Sequence, residues 1–96
     1  MNITGLLKEK RERILEVTAK YGAYNVRVFG SMARGDANDK SDVDFLVQLE
    51  PRCGLFDWLH LEEDLEKLLG KHVDVVQEEA IKGKMRERAL KEAIPL

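Results

Sequence analysis

The sequence predicts a small α/β (α+β) fold in which helices flank a mixed β-sheet, with elements in the order α-β-β-α-β-α. Three segments carry apolar residues at the three- and four-residue spacing of amphipathic helices, and short runs rich in valine alternate with them. Glycine follows two of the helical segments, where it favours termination. With 96 residues, of which 44% are hydrophobic and 35% charged, the chain can bury one core, so residues 1–96 are expected to form a single domain.

The first predicted helix covers residues 3–21 and leads into a short strand. Its apolar face consists of Ile3, Leu6, Leu7, Ile14, Val17, Thr18 and Tyr21. Gly22 follows as a stop signal. Residues 26–29 are β-branched or aromatic at three of four positions, and they predict the first strand, which ends at Gly30.

The second predicted strand, residues 43–49, has the clearest alternation in the chain. Its apolar positions on one side are Val43, Phe45, Val47 and Leu49. A polar loop at residues 35–41 precedes this strand. The second helix is predicted over residues 55–69 and ends before Gly70. Its predicted buried face consists of Leu55, Trp58, Leu59, Leu65, Leu68 and Leu69.

A third strand is predicted over residues 73–76 and a last helix over residues 79–93, which Pro95 prevents from continuing. The crossover between the second and third strands contains a helix of more than about a dozen residues, the length that connects parallel neighbours. The short polar link between the first and second strands favours an antiparallel pair instead. Together these connections predict a mixed sheet.

The charge balance and the cysteine count argue against several functions. The chain carries 16 Lys and Arg against 18 Asp and Glu, a net charge of −2, which argues against nucleic acid as a direct ligand. One cysteine, Cys53, cannot form an internal disulfide. His60 and His72 are too few for a Cys/His zinc module and are expected to be ordinary surface or packing residues. No segment resembles a signal peptide or a membrane span, so we expect a cytoplasmic protein with no membrane partner.

Gly30 and Ser31, directly after the first strand, form the first part of a predicted site. Glycine lets a phosphate approach the backbone closely. A helix or nest that opens at Ser31 would direct backbone N–H groups and the hydroxyl toward an anion. By itself such a dipeptide is more often a simple turn with a serine cap.

Asp42 and Asp44 form the second part of the predicted site. Residues two apart in a strand project to the same side, about 6–7 Å apart along the chain, so both carboxylates can reach one cation. Aspartate is disfavoured in strands, and such conflicts tend to mark functional sites. The alternative is that the strand begins late and that Asp42 belongs to the loop.

Asp74 is the third part, because a carboxylate inside an apolar strand is costly unless it is paired or bound to a metal. If its strand lies parallel to and beside that of Asp42 and Asp44, the three carboxylates converge. Ligation by oxygen alone selects Mg²⁺ or Mn²⁺. Without metal, repulsion should raise the pKa of at least one carboxyl group.

Carboxylates beside a phosphate-binding corner are typical of phosphoryl or nucleotidyl transfer. In that chemistry Gly30 and Ser31 hold the triphosphate tail of a nucleotide, and two metal ions bridge the carboxylates and the phosphates. We expect Asp42 and Asp44 to contact both ions. Asp74 is expected to hold the catalytic ion and to orient the nucleophile or accept its proton.

Residues 30–47, GSMARGDANDKSDVDFLV, carry this constellation at a specific spacing. Gly30 and Ser31 are followed by ten residues and then by an Asp-Val-Asp triplet that begins at Asp42. This pattern resembles the nucleotidyltransferase signature GSX(10)DXD, and its longer form with Ala-Arg-Gly and Ser-Asp is also present. Residues 85–96 are similar to the usual ending of the minimal nucleotidyltransferases, MntA-like proteins of the DNA polymerase β superfamily.

The resemblance implies a polymerase β-like nucleotidyltransferase fold, ATP as substrate, two Mg²⁺ ions, and Asp42, Asp44 and Asp74 as catalytic and metal-binding residues. It also implies an antitoxin that transfers AMP from ATP to a tyrosine hydroxyl of a helical HEPN-type toxin, a ribonuclease. A chain of 96 residues leaves no room for a separate acceptor-binding domain, so we expect the acceptor surface to come from a partner. Homo- and hetero-oligomers both remain open.

Two other functions fit the same residues. An antitoxin could neutralise its partner by binding alone, through apolar positions near the last helix such as Ile81, Met85 and Ile94. A nucleotidyltransferase could instead act on RNA or on a small molecule, although the net charge of −2 argues mildly against RNA.

Arg34 lies inside the signature and is assigned to nucleotide binding together with Gly30 and Ser31, since a guanidinium can reach a phosphate. It can equally brace the loop that follows, by pairing with Asp36 or Asp39.

Overall fold

The computed structural model describes residues 3–38 and 40–96. Its elements follow one another in this order: helix α1 (Ile3–Lys20), strand β1 (Ala23–Phe29), the one-turn helix α2 (Ser31–Arg34), strand β2 (Val43–Leu49), helix α3 (Leu55–Leu69), strand β3 (Val73–Gln77), a 3₁₀ turn (Glu78–Ala80), helix α4 (Gly83–Glu92) and the two-residue strand β4 (Ile94–Pro95). None of the helices in this part of the chain is both long enough and apolar enough to cross a bilayer.

The strands form one mixed sheet in the order β3-β2-β1-β4. Strand β1 is antiparallel to β2 and to β4, whereas β2 and β3 are parallel, as the connection lengths predicted. The register places Phe29 opposite Asp44 and Asp44 beside Asp74. The predicted mixed sheet with flanking helices is therefore confirmed.

One face of the sheet carries the main core, because the odd-numbered residues of β2 point toward α1 and α3. The fully buried members from these three elements are Ile14, Val43, Phe45, Val47, Leu61 and Leu65. The strict alternation of β2 thus faces two helices that both use apolar stripes. Of the predicted α1 face, the side chain of Ile3 lies outside the described residues.

The opposite face carries the even-numbered residues of β2, and it is built differently. Leu46 is fully buried there although it lies outside the main core. Arg27 is its register partner on β1 and forms a buried ion pair with Glu78, with Nη1 2.5 Å from Oε1. Toward the other end of this face the side chains of Asp44 and Asp74 remain partly exposed. This end is the place where the sheet can meet a ligand.

The chain departs from the prediction chiefly at the start of β1, at the start of α4 and in the additional strand β4. Strand β1 begins at Ala23, not at residue 26, and an irregularity at Asn25, with φ of 50°, interrupts the alternation that would have revealed it. Helix α4 begins at Gly83, because residues 78–80 form a 3₁₀ turn instead of its first turn. Strand β4 exists only by pairing with β1, so it has no local signal.

The predicted buried face of α3 was partly wrong. Leu55 and Leu59 are 62% and 41% exposed, whereas Leu61, Leu65 and Leu69 are buried. The buried residues recur every four positions and follow one stripe along the helix. Leucine occurs on several faces of this helix, so composition alone could not identify the stripe that contacts the sheet.

Candidate active site

Gly30 forms a sharp corner between β1 and α2, and only glycine fits it. Its φ of 73° and ψ of −148° lie in a region that residues with side chains rarely adopt. A Cβ atom at this position would also lie 2.6 Å from Oδ2 of Asp44. The corner and the carboxylate of β2 are therefore in direct contact, and any side chain at residue 30 would displace Asp44.

The helix that opens at this corner is a single closed turn. The Arg34 amide donates to the Gly30 carbonyl at 3.0 Å, and the Gly35 and Asp36 amides both donate to the Ser31 carbonyl. The amides of residues 31–33 precede the first of these bonds, so helix geometry leaves them without an intrahelical acceptor. The residues that the signature predicted for phosphate binding thus lie at the start of a helical turn.

The three predicted aspartates lie together on the partly open face. Asp44 and Asp74 are register partners in the parallel ladder of β2 and β3. Asp42 precedes β2 by one residue, and it shares with Asp74 a cluster in which His72 also takes part. One ligand atom from each of these three residues lies within 4.8 Å of the others. Parallel pairing of β2 with β3 is what brings the aspartates together.

The electrostatics of the cluster suit a divalent cation. Burial raises the pKa of Asp44 above its usual range, the charges of Asp74 and Asp42 and the hydrogen bond with Asp74 raise it further, and His72 opposes the shift. This agrees with the predicted raised pKa of at least one carboxyl group. A cation would relieve the same repulsion, and a donor set of carboxylate oxygens fits Mg²⁺ or Mn²⁺.

His72 lies at the edge of this cluster, where the sequence did not predict a functional residue. Its Nδ1 is 3.6 Å from Oδ2 of Asp42 and 4.0 Å from Oδ1 of Asp74, and its Nε2 is 3.9 Å from Oε2 of Glu66. A signal was present, because residues 72 and 74 are two apart at the start of a strand and so project to one side.

Arg34 is held by carboxylates of the chain itself. Its Nε lies 3.2 Å from Oδ2 of Asp36, and its Nη1 lies 3.2 Å from Oε2 of Glu92. The other carboxylate oxygen of Glu92, Oε1, accepts from Nε of Arg88. The bracing contact with Asp36 was one of the two predicted roles, whereas Asp39 lies outside the described residues. Contact of Arg34 with a nucleotide stays a prediction.

A cavity of about 180 Å³ lies between the glycine corner and α4. It is bordered by Phe29, Gly30 and Arg34 on one side and by Met85, Arg88, Ala89 and Glu92 on the other. Helix α4 therefore forms one wall of a cavity that borders the glycine corner.

Comparison with known proteins gives three findings. Residues 10–96 match the family model described as a nucleotidyltransferase domain. The protein adenylyltransferase MntA of Thermococcus cleftensis is 39% identical over 92 residues, which are 96% of this chain and 86% of that protein. A solved structure provisionally described as a minimal nucleotidyltransferase is 46% identical, with a TM-score of 0.88 over all of this chain and 97% of the other.

A more distant likeness concerns the fold alone. A crystal structure of a toxin–antitoxin with AMP-PNP superposes with a TM-score of 0.75 at 17% identity. The match covers 88% of this chain and 69% of that one.

Proposed function

The chain belongs to the nucleotidyltransferase domain family, and we propose that it is a Mg²⁺-dependent protein adenylyltransferase that acts as an antitoxin. It transfers AMP from ATP to a tyrosine hydroxyl of a helical HEPN-type toxin. The observation that carries the proposal is the contact between the glycine corner and the carboxylate cluster, in which Gly30 lies directly against Asp44. A nucleotide whose phosphates lie at the corner would present its α-phosphorus to the carboxylates.

Each residue of the cluster has a role in this proposal. Asp42 and Asp44 would hold two Mg²⁺ ions, and Asp74 would hold one of them. When bound, Mg²⁺ lowers the pKa of the attacking hydroxyl and stabilises the charge on the leaving pyrophosphate. Gly30 leaves room for the phosphates, while the Ser31 hydroxyl donates a hydrogen bond to them.

The proposed reaction is an in-line displacement at the α-phosphorus. The tyrosine oxygen forms a bond to this phosphorus, and the bond from the phosphorus to the oxygen bridging to the β-phosphate breaks, which releases pyrophosphate. Asp74 orients the tyrosine hydroxyl and accepts its proton. Asp74 is half-exposed, so an acceptor arriving from outside the chain can reach it. Arg34 contacts the phosphates if its pairing with Glu92 gives way.

A protein acceptor is supported by the relatives. The Thermococcus cleftensis protein is named a protein adenylyltransferase, and the distant neighbour with AMP-PNP is a toxin–antitoxin structure. The toxin class and the tyrosine come from the resemblance of the signature. A reaction that consumes ATP also fits the cytoplasm as its location.

The proposal is tested with the purified chain, its toxin partner, ATP and Mg²⁺. We expect the mass of the partner to rise by one or more AMP groups. The double variant Asp42→Asn with Asp44→Asn should abolish the transfer and leave the circular dichroism spectrum unchanged. Glu87→Gln, which removes an exposed carboxylate on α4, is the matched control and should transfer AMP normally. An unchanged partner mass with the unmodified chain would reject the proposal.

Neutralisation by binding alone is the second candidate, favoured by two exposed apolar side chains. Met85 and Ile94 are 59% and 50% exposed, whereas Ile81 is partly buried. The same double variant decides between the candidates. If it neutralises the toxin fully without transferring AMP, binding is sufficient for neutralisation and catalysis is not required for it.

A further inference from the structure

Strand β3 lies at one edge of the sheet that the described residues form, and side chains of α3 cover its outer side. In a parallel ladder alternate residues bond to a given neighbour. The Val43 amide donates to the His72 carbonyl, so the backbone N–H and C=O groups of the even-numbered residues of β3 point toward β2. The backbone groups of Val73 and Val75 therefore point outward, where an unprotected edge would pair with another chain.

Three side chains of α3 bond to these outward groups. The Val73 amide donates to Oε2 of Glu66 at 3.1 Å, and the Val75 amide donates to Oε2 of Glu62 at 2.8 Å. The indole Nε1 of Trp58 donates to the Val75 carbonyl at 2.9 Å. Residues 58, 62 and 66 are four apart and so lie on one face of the helix. Their side chains bind the backbone of β3 in the way that the backbone of a neighbouring strand would.

We propose that Trp58, Glu62 and Glu66, here termed the edge clamp, are positioning residues that hold Asp74 at the metal site. The two amides that they bind belong to Val73 and Val75, the residues on either side of Asp74. This inference rests on the proposed function of the carboxylates, and it assigns to α3 a role beyond packing on the core.

Asp74 needs such support because negatively charged side chains lie near it on the side of β2. Among the described residues, its strand is bonded to a neighbouring strand on one side only, that of β2, where Asp44 lies beside it in the register. Asp42 adds a second negative charge nearby. Hydrogen bonds from the Val73 and Val75 amides to side chains of α3 fix the position of β3 from its outer side, so the repulsion alone does not decide where Asp74 lies.

A small displacement would matter for the chemistry. Misplacing a catalytic group by about 1 Å can cost about a hundredfold in rate. Loss of a group that orients a metal ligand typically weakens metal binding by about tenfold to a hundredfold. The edge clamp is therefore expected to influence metal affinity although none of its residues belongs to the cluster of Asp42, His72 and Asp74.

The test compares two substitutions of one residue, Glu62→Leu and Glu62→Gln. Glutamine removes the charge but keeps an oxygen that can accept from the Val75 amide, whereas leucine removes both. The readouts are the affinity for Mn²⁺ alone, from the electron paramagnetic resonance signal of the free ion, and hydrogen–deuterium exchange at residues 73–75. Glu63→Leu is the matched control, because Glu63 is exposed on the same helix.

We expect Glu62→Leu to weaken Mn²⁺ binding by about tenfold and to speed exchange of the Val75 amide. Glu62→Gln and Glu63→Leu should stay near the unmodified chain in both readouts. Equal Mn²⁺ affinity in the leucine and glutamine variants would overturn the proposal. If Glu62→Leu does not fold, Trp58→Phe keeps the aromatic packing and removes only the indole donor, and it should shift both readouts in the same direction.

The variant Asp74→Asn distinguishes a failure of the proposed function from a failure of the edge clamp. If Asp74→Asn binds Mn²⁺ as tightly as the unmodified chain, Asp74 is not a metal ligand, and both the proposed role of Asp74 and its positioning by the edge clamp are rejected. If Asp74→Asn weakens binding while Glu62→Leu does not, the metal site stands and the edge clamp alone is rejected.

Discussion

The two faces of strand β2 perform opposite tasks with residues that alternate along one short segment. Val43, Phe45 and Val47 are fully buried against α1 and α3, whereas Asp44 between them faces the partly open side of the sheet. The core face lowers the free energy of the folded state through apolar burial. The site face opposes folding, because it gathers like charges. Both tasks fit on one strand because successive residues of a strand project to opposite faces of the sheet.

The largest effect is expected for Phe45→Ala, which creates a cavity at the centre of the core face of β2. We expect a loss of about 3–5 kcal/mol in the free energy of unfolding, measured by urea denaturation, since the cavity is fully enclosed. Asp44→Asn, at the adjacent position on the other face, should not destabilise the protein. A comparable loss from both substitutions would contradict the division of the strand into a core face and a site face.

Gly30→Ala should damage both stability and the site. The positive φ makes a side chain cost about 1–3 kcal/mol, and the new Cβ would displace the Asp44 carboxylate. We expect loss of AMP transfer together with weaker Mn²⁺ binding.

The matched control for this substitution is Gly35→Ala. Gly35 also has a positive φ, of 82°, but its Cβ would meet no atom of residues 3–38 or 40–96 within 4 Å. It should therefore lose stability without loss of transfer. Equal loss of transfer in the two alanine variants would show that strain alone, and not contact with Asp44, explains the effect.

The raised pKa of Asp44 predicts a pH dependence of stability. The folded state holds a proton that the unfolded state releases, so the contribution of Asp44 falls as the pH rises from the usual aspartate range through the raised pKa. We expect the free energy of unfolding of the unmodified chain to fall relative to that of Asp44→Asn over this interval. Addition of Mg²⁺ above the interval should restore part of the difference. A difference that does not change with pH would contradict this expectation.

The smallest effect is expected where the sequence predicted burial and the structure shows exposure. Leu55→Gln should change the free energy of unfolding by no more than about 0.5 kcal/mol, because this side chain is 62% exposed. Leu61→Ala on the buried stripe of the same helix should cost about 2–5 kcal/mol. Thermal denaturation of the two variants distinguishes the predicted face from the observed one.

Much of this architecture is local in origin and was therefore predictable. The alternation of β2 depends on one segment, and its bounds at residues 43 and 49 were predicted from that segment alone. The parallel and antiparallel pairings followed from connection lengths. The expectation of a glycine corner beside carboxylates was strengthened by the resemblance of residues 30–47 to the nucleotidyltransferase signature.

Other features were decided by contacts between distant segments. Strand β4 forms because it pairs with β1, and the stripe of α3 that packs on the sheet includes Leu61, which was not predicted. His72, which precedes β3, lies near Asp42, which precedes β2, and Glu62 reaches the Val75 amide across 13 positions. The physical reason is that periodicity specifies which side chains share a face, whereas only the packed sheet specifies what that face contacts. The sequence by itself thus determined the main helices and strands and the carboxylate motif. The tertiary structure decided where β1 and α4 begin, whether β4 forms and which side chains support the site.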